Sequence, residues 1–140
     1  MPEYLSERTA EEDFAKQILV CTAETDEDEK LFAEVFKGKD YIKMNSVEAI
    51  LAKYFHNVFG ALKVTYFNCV HDICTNGIKS VPVDYKKVLA GMYVSRHIDL
   101  HYTDVPGHDG KLGYGGKCFP KDLKAIEREL RYTPFGRLID

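Results

Sequence analysis

The longest regular pattern of apolar and polar positions lies in the middle of the chain. From Asn45, apolar residues recur at 47, 50, 51, 54, 55, 58, 59, 62, 66, 69, 70, 73 and 74, the three-and-four spacing of a helix. Asn45 followed by Glu48 has the form of a capping box, and Asn76-Gly77 supplies a stop. One helix of about 30 residues, roughly 45 Å long at 1.5 Å per residue, is therefore predicted. A helix so far beyond the usual length serves as a scaffold between parts.

The flanking pattern is weaker. Residues 1 to 16 are charged and carry no clean period, whereas Ile18-Leu19-Val20-Cys21-Thr22 is an apolar run of strand length. Asp26 is placed to cap a helix whose apolar positions are Leu31, Phe32, Val35 and Phe36, ending at Gly38. Tyr41-Ile42-Lys43-Met44 has the form of a second short strand. Beyond the long helix, Asp84 is placed to cap a short helix through Ala90, with Gly91 as terminator. Residues 99–117 hold Pro106 and five glycines, too many for regular structure. Pro120 then opens a last helix to about Arg131.

Composition narrows the class. A hydrophobic fraction of 45%, with nine Tyr and eight Phe in 140 residues, is enough to bury a core in one globular domain. A formal charge of −3 argues against nucleic acid or an anionic membrane as the main partner. The opening residues lack the apolar core of a signal peptide, and no stretch approaches about 18 apolar residues, so a cytoplasmic chain is expected. Four irregularly spaced cysteines then favour free thiols over a disulfide framework.

Several residues are candidates for chemistry. Cys118 follows Gly115 and Gly116, which let a backbone approach a ligand closely. It also precedes a predicted helix N-terminus, which favours the nucleophilic thiolate. A buried structural cysteine is the alternative. Asp122, four residues on, projects to the same side as an acid–base partner, or simply favours the helix N-terminus. On the long helix Lys53 and Asn57 are one turn apart, with Gly60 and Ala61 leaving room beside them. Lys63 turns away from that face, and Asn68 is a further polar position. Glu3 and Glu7 are paired carboxylates at the same four-residue spacing, or surface charge. Cys69, His71 and Cys74 point in different directions on a helix, so no metal site is expected.

Taken in order, four blocks resemble the UDP-glucose and GDP-mannose dehydrogenases. They are Pro2-Glu3-Tyr4-Leu5-Ser6-Glu7; Lys53-Tyr54-x-x-Asn57-x-Phe59-x-Ala61-x-Lys63-Val64-Thr65-Tyr66-x-Asn68; Val105-Pro106-Gly107-x-Asp109-Gly110-Lys111; and Gly113-Tyr114-Gly115-Gly116-Lys117-Cys118-Phe119-Pro120-Lys121-Asp122. The resemblance implies a mainly α fold, a helical domain like the C-terminal domain of 6-phosphogluconate dehydrogenase, built around one long helix with a small N-terminal β element. It places residues 1 to 44 as a small α/β segment at the end of the family's NAD domain, and 45 to 140 as the helical dimerisation and catalytic domain.

The resemblance further implies oxidation of a nucleotide-sugar C6 alcohol to a uronate with NAD. Cys118 would form a thiohemiacetal and then a thioester. Lys53, Asp122 and Glu3 would activate water or stabilise the oxyanion, and Asn57 would fix the sugar. Glu7, Tyr114, Gly115, Gly116 and an Arg96 from a neighbouring subunit would bind substrate, and Lys121 would lie near the cofactor. Partners implied are a nucleotide sugar and a second copy paired through the long helix. No strand followed by Gly-x-Gly-x-x-Gly occurs in the sequence, so polypeptides carrying Rossmann domains are further expected partners of a fragment or split enzyme. A non-catalytic dimerisation module is the second reading. A stand-alone thiol hydrolase is a third, which the absence of a local His partner for Cys118 disfavours.

Overall fold

The computed structural model describes residues 9–78, 81–95 and 97–133. Contacts divide the chain into two compact units, Met1–His56 and Asn57–Asp140, and the division falls inside the long helix. Among the described residues the protein is mainly helical, with one small parallel sheet. None of these helices is long and apolar enough to cross a membrane.

The N-terminal unit contains α1 (Ala10–Lys16), β1 (Leu19–Cys21), α2 (Asp26–Val35), β2 (Tyr41–Lys43) and the start of α3 (Ser46–Asn76). A parallel strand pair needs a crossover, and α2 supplies it. Leu19, Val20 and Cys21 pair with Tyr41, Ile42 and Lys43, and all three β1 residues are buried. Phe32 of α2 packs on Phe36 and Tyr41, with ring centroids 4.7 and 5.3 Å apart.

The expected strands are present, and two details of this unit differ from expectation. Thr25, not Asp26, caps α2: its hydroxyl accepts the Asp28 N–H while the Asp28 carboxylate accepts the Thr25 N–H. The helix closes at Val35, before Gly38. The helix α1 falls in a segment where no period was legible. Seven residues are too few to stand alone, and a residue from elsewhere completes this helix. Lys39 donates to the carbonyls of Phe14 and Ala15, both at 2.7 Å, and lies over the Phe14 ring.

The long helix is present as expected. Asn45 Oδ1 accepts from the Glu48 N–H at 2.9 Å and Glu48 returns a bond to the Asn45 N–H at 2.8 Å, so both orphan donors are met. The C-terminal unit continues with α4 (Tyr85–Tyr93), capped by Asp84, and α5 (Cys118–Leu130). Gly91 lies within α4 and does not end it. The last helix begins at Cys118, two residues before the expected Pro120. Pro120 still belongs to the first turn, where the backbone N–H it lacks would have no intrahelical acceptor.

Two tyrosines of α4 hold the loop that follows it. The Tyr85 hydroxyl donates to the Thr103 carbonyl at 2.6 Å and the Tyr93 hydroxyl to Thr103 Oγ1 at 2.9 Å; Thr103 itself is buried. Burial pushes the Tyr85 phenol from 10.0 to about 12. A folded-state value above the unfolded one gives a contribution that is complete below pH 10 and lost as pH rises to about 12. Tyr85→Phe is expected to cost about 1 kcal/mol in urea unfolding at neutral pH. It should also reduce the loss of stability across that alkaline window, which a series of unfolding curves at increasing pH would measure.

Candidate active site around Cys118

Cys118 is the first residue of α5 and is exposed. Lys117, at the cap position, makes no side-chain cap, so the start of this helix is not fixed by its own cap residue. Contacts to one face of α3 fix it instead. Positions 57, 60 and 68 fall within about 80° of one another around a helix.

The deepest contact joins Asn57 to Asp122. Both are buried, at 4% and 1% exposure, and Asn57 Nδ2 donates to the Asp122 carboxylate at 2.5 Å. Lys121 forms an ion pair with the other carboxylate oxygen. A carboxylate removed from water must be met by donors, so Asp122 does more than favour a helix end. Ile126 and Leu130, one and two turns on, are buried on the same face of α5.

Gly60 allows the next contact. A Cβ there would stand 2.6 Å from Phe119 Cζ and 3.2 Å from Tyr102 Cε2, so the absence of a side chain lets both rings lie against α3. The Tyr102 and Phe119 rings meet edge to face at 5.3 Å. Tyr102 also has a left-handed backbone, φ 60, rare outside glycine. Burial pushes its phenol up, and the charge of nearby Cys118 adds to the effect. Tyr102 is thus a neighbour of the thiol that the sequence did not single out. Neither its backbone angle nor its proximity across 16 positions has a local signal.

The loop 99–117 is tied to α3 at two points. Lys63, turned away from the Asn57 face as its spacing implied, donates to Asp99 Oδ1 at 2.6 Å and to the Asp99 carbonyl at 3.1 Å. Lys63 and then the His101 N–H hold the Asp99 carboxyl below its usual range. Asn68 Oδ1 accepts the Gly113 N–H at 2.9 Å. Gly113 and Gly116 both have positive φ, near +78 and +76, which explains the glycines at these positions.

Of the expected site residues, Cys118, Asp122, Lys121 and Asn57 are brought together in the C-terminal unit. Lys53 is one turn before Asn57 on α3, half-buried, within the N-terminal unit. Tyr114, Gly115 and Gly116 lie exposed in the loop before Cys118. Tyr114 walls an open groove of about 390 Å³ with Ala61, Thr65, Pro120, Lys124 and Glu127; Cys118 is not among its walls. Glu3, Glu7 and Arg96 lie outside the described residues. No three metal-ligating side chains are grouped among the described residues.

A dinucleotide needs a glycine-bearing turn that opens onto a helix N-terminus. The β1–α2–β2 unit turns instead through Thr22-Ala23-Glu24-Thr25, and the first turn of α2 carries Asp26, Glu27, Asp28 and Glu29. The cleft at the end of β1 is walled by Glu24 and Asp28, whose charge opposes a pyrophosphate. The described residues of this unit do not fit NAD.

Comparison with known proteins places the chain in a family. Residues 47–135 match the central domain of the UDP-glucose/GDP-mannose dehydrogenase family. The chain is 32% identical over 133 residues to a UDP-glucose 6-dehydrogenase of Pseudomonas aeruginosa, covering 91% of this chain and 27% of that protein. It is 33% identical over 133 residues to UDP-glucose 6-dehydrogenase AglM of Haloferax volcanii, covering 89% and 29%. A GDP-mannose 6-dehydrogenase of Pseudomonas aeruginosa is 31% identical over 129 residues, covering 89% and 28%. The chain belongs to the UDP-glucose/GDP-mannose dehydrogenase family, and it spans under a third of the length of these curated relatives.

Replacing Asp122 by Ala leaves the buried Asn57 amide without this acceptor and is expected to cost about 1–3 kcal/mol. Asp122→Asn keeps an acceptor for Asn57 and should cost less. Thermal unfolding of the two variants beside the parent measures the difference.

Proposed function

We propose that this chain is the catalytic-cysteine portion of an NAD-dependent nucleotide-sugar 6-dehydrogenase, oxidising a UDP-sugar C6 alcohol to a uronate. The single observation that carries this is the arrangement at the start of α5. An exposed thiol stands at the first helical residue, with a buried carboxylate one turn on that is bonded to Asn57 of the long helix. Family membership supplies the substrate class. In this reading NAD and the nucleotide are held by other domains, on the same polypeptide or on separate ones, in a cytoplasmic enzyme whose helical part has the 6-phosphogluconate dehydrogenase C-terminal type of fold.

The residues of this chain act on either side of the oxidation. Cys118 Sγ adds to the C6 aldehyde carbon, the C–S bond forms and the carbonyl electron pair moves to oxygen. Lys53 stabilises that oxygen by charge and Asn57 holds the sugar. After oxidation, water adds to the acyl carbon with Asp122 and Glu3 accepting its proton. The C–S bond breaks and the thiolate departs. Glu7, Tyr114, Gly115, Gly116 and Arg96 contact the substrate, and Lys121 lies toward the cofactor. The expected result is that supplying the NAD- and nucleotide-binding domains of a relative yields NADH when UDP-glucose is added, and that Cys118→Ser abolishes uronate formation. A complex that forms but yields no NADH with UDP-glucose or GDP-mannose would overturn the assignment.

The reading includes pairing of two copies through α3. Phe55, Phe59, Leu62, Tyr66, Cys69 and Ile73 alternate at spacings of four and three, the seam of a paired helix. Phe59, Tyr66 and Ile73 are each more than half exposed, so the seam is uncovered in the single chain. Sedimentation at micromolar concentration should report a dimer, and Phe59→Glu with Tyr66→Glu should shift it to a monomer.

A further inference from the structure

We infer that Asn68 is a positioning residue for Cys118, acting by pinning the glycine-rich loop through the Gly113 N–H. The inference rests on the reading of Cys118 as the nucleophile. Asn68 makes two bonds that require the same orientation of its amide. Its Nδ2 donates to the Val64 carbonyl at 2.8 Å and its Oδ1 accepts the Gly113 N–H at 2.9 Å. A carbonyl accepts only and an N–H donates only, so neither partner tolerates the flipped amide.

The helix that begins with Cys118 needs this outside support. No side-chain capping bond closes its N-terminus, and two glycines with positive φ, Gly113 and Gly116, leave the approach to it conformationally free. Asp122 on Asn57 and Phe119 over Gly60 fix the helix from within. The Gly113 bond is the corresponding tie on the loop side, five residues before the thiol and on the same face of α3. Without it the first turn of α5 loses its anchor on one side, and the backbone N–H groups there no longer hold a fixed position toward Sγ.

The test is site-resolved alkylation of the full chain by iodoacetamide, followed by peptide mass spectrometry, with buried Cys74 as the reporter of unfolding. In the parent, Cys118 should react faster than a free thiol. Asn68→Ala should slow Cys118 by roughly threefold or more, toward the free-thiol rate, while Cys74 stays unlabelled. Asn68→Asp keeps the acceptor for Gly113 but loses the donor to Val64, and it should retain the parent rate. Amide exchange at Gly113 should accelerate in the Ala variant and not in the Asp variant.

A fast parent with an equally fast Asn68→Ala variant overturns the inference and leaves the nucleophile reading standing. An Asp variant as slow as the Ala variant assigns the effect to the Val64 bond and also overturns it. Labelling of Cys74 together with the loss at Cys118 assigns Asn68 to general stability, with the same consequence. A parent whose Cys118 reacts no faster than a free thiol removes the nucleophile reading, and the inference falls with it.

Discussion

The candidate site depends on a buried carboxylate that must not be left unsatisfied. Asp122 is almost wholly removed from water, and the Asn57 amide that meets it is nearly as deep. An unmet carboxylate in such a place would cost several kcal/mol, so the bond fixes α5 on α3 in both register and rotation. Ile126 and Leu130 then face inward on the turns that follow, and Cys118, one turn before, is left at the surface at the helix start. The position of the thiol is a consequence of where Asp122 is held.

The remaining constraints act on the same helix start through shape and backbone bonding. Gly60 removes a side chain so that Phe119 and Tyr102 can approach α3, and Asn68 and Lys63 hold the loop at Gly113 and Asp99. The helix α4 adds a separate hold at Thr103 through Tyr85 and Tyr93. A loop with five glycines is costly to order, and these ties spread that cost over α3 and α4. Such an arrangement gives the backbone that leads to the exposed Cys118 a fixed path.

The N-terminal unit has the parallel β–α–β order of a nucleotide-binding fold but the wrong charge for a nucleotide. The capping box of Thr25 and Asp28 occupies the helix N-terminus, and three more acids share the first turn of α2. The β1–α2–β2 part of this unit therefore offers no pyrophosphate site; it carries a short buried strand and leads into the long helix.

The sequence by itself determined the elements whose causes are local. The apolar period and the Asn45–Glu48 box defined α3, the short runs at 18–22 and 41–44 defined β1 and β2, and Asp84 marked the start of α4. The four motif blocks were also legible, because a motif is a local string. The tertiary structure decided what depends on distant partners. The helix α1 is completed by Lys39, and α5 starts at Cys118 with its first turn fixed by contacts to α3. The Asn57–Asp122 bond spans 65 positions and the Asn68–Gly113 bond 45, so neither residue's neighbours in sequence announce it. Local sequence made Cys118 a candidate, and long-range hydrogen bonding decided how its helix is held.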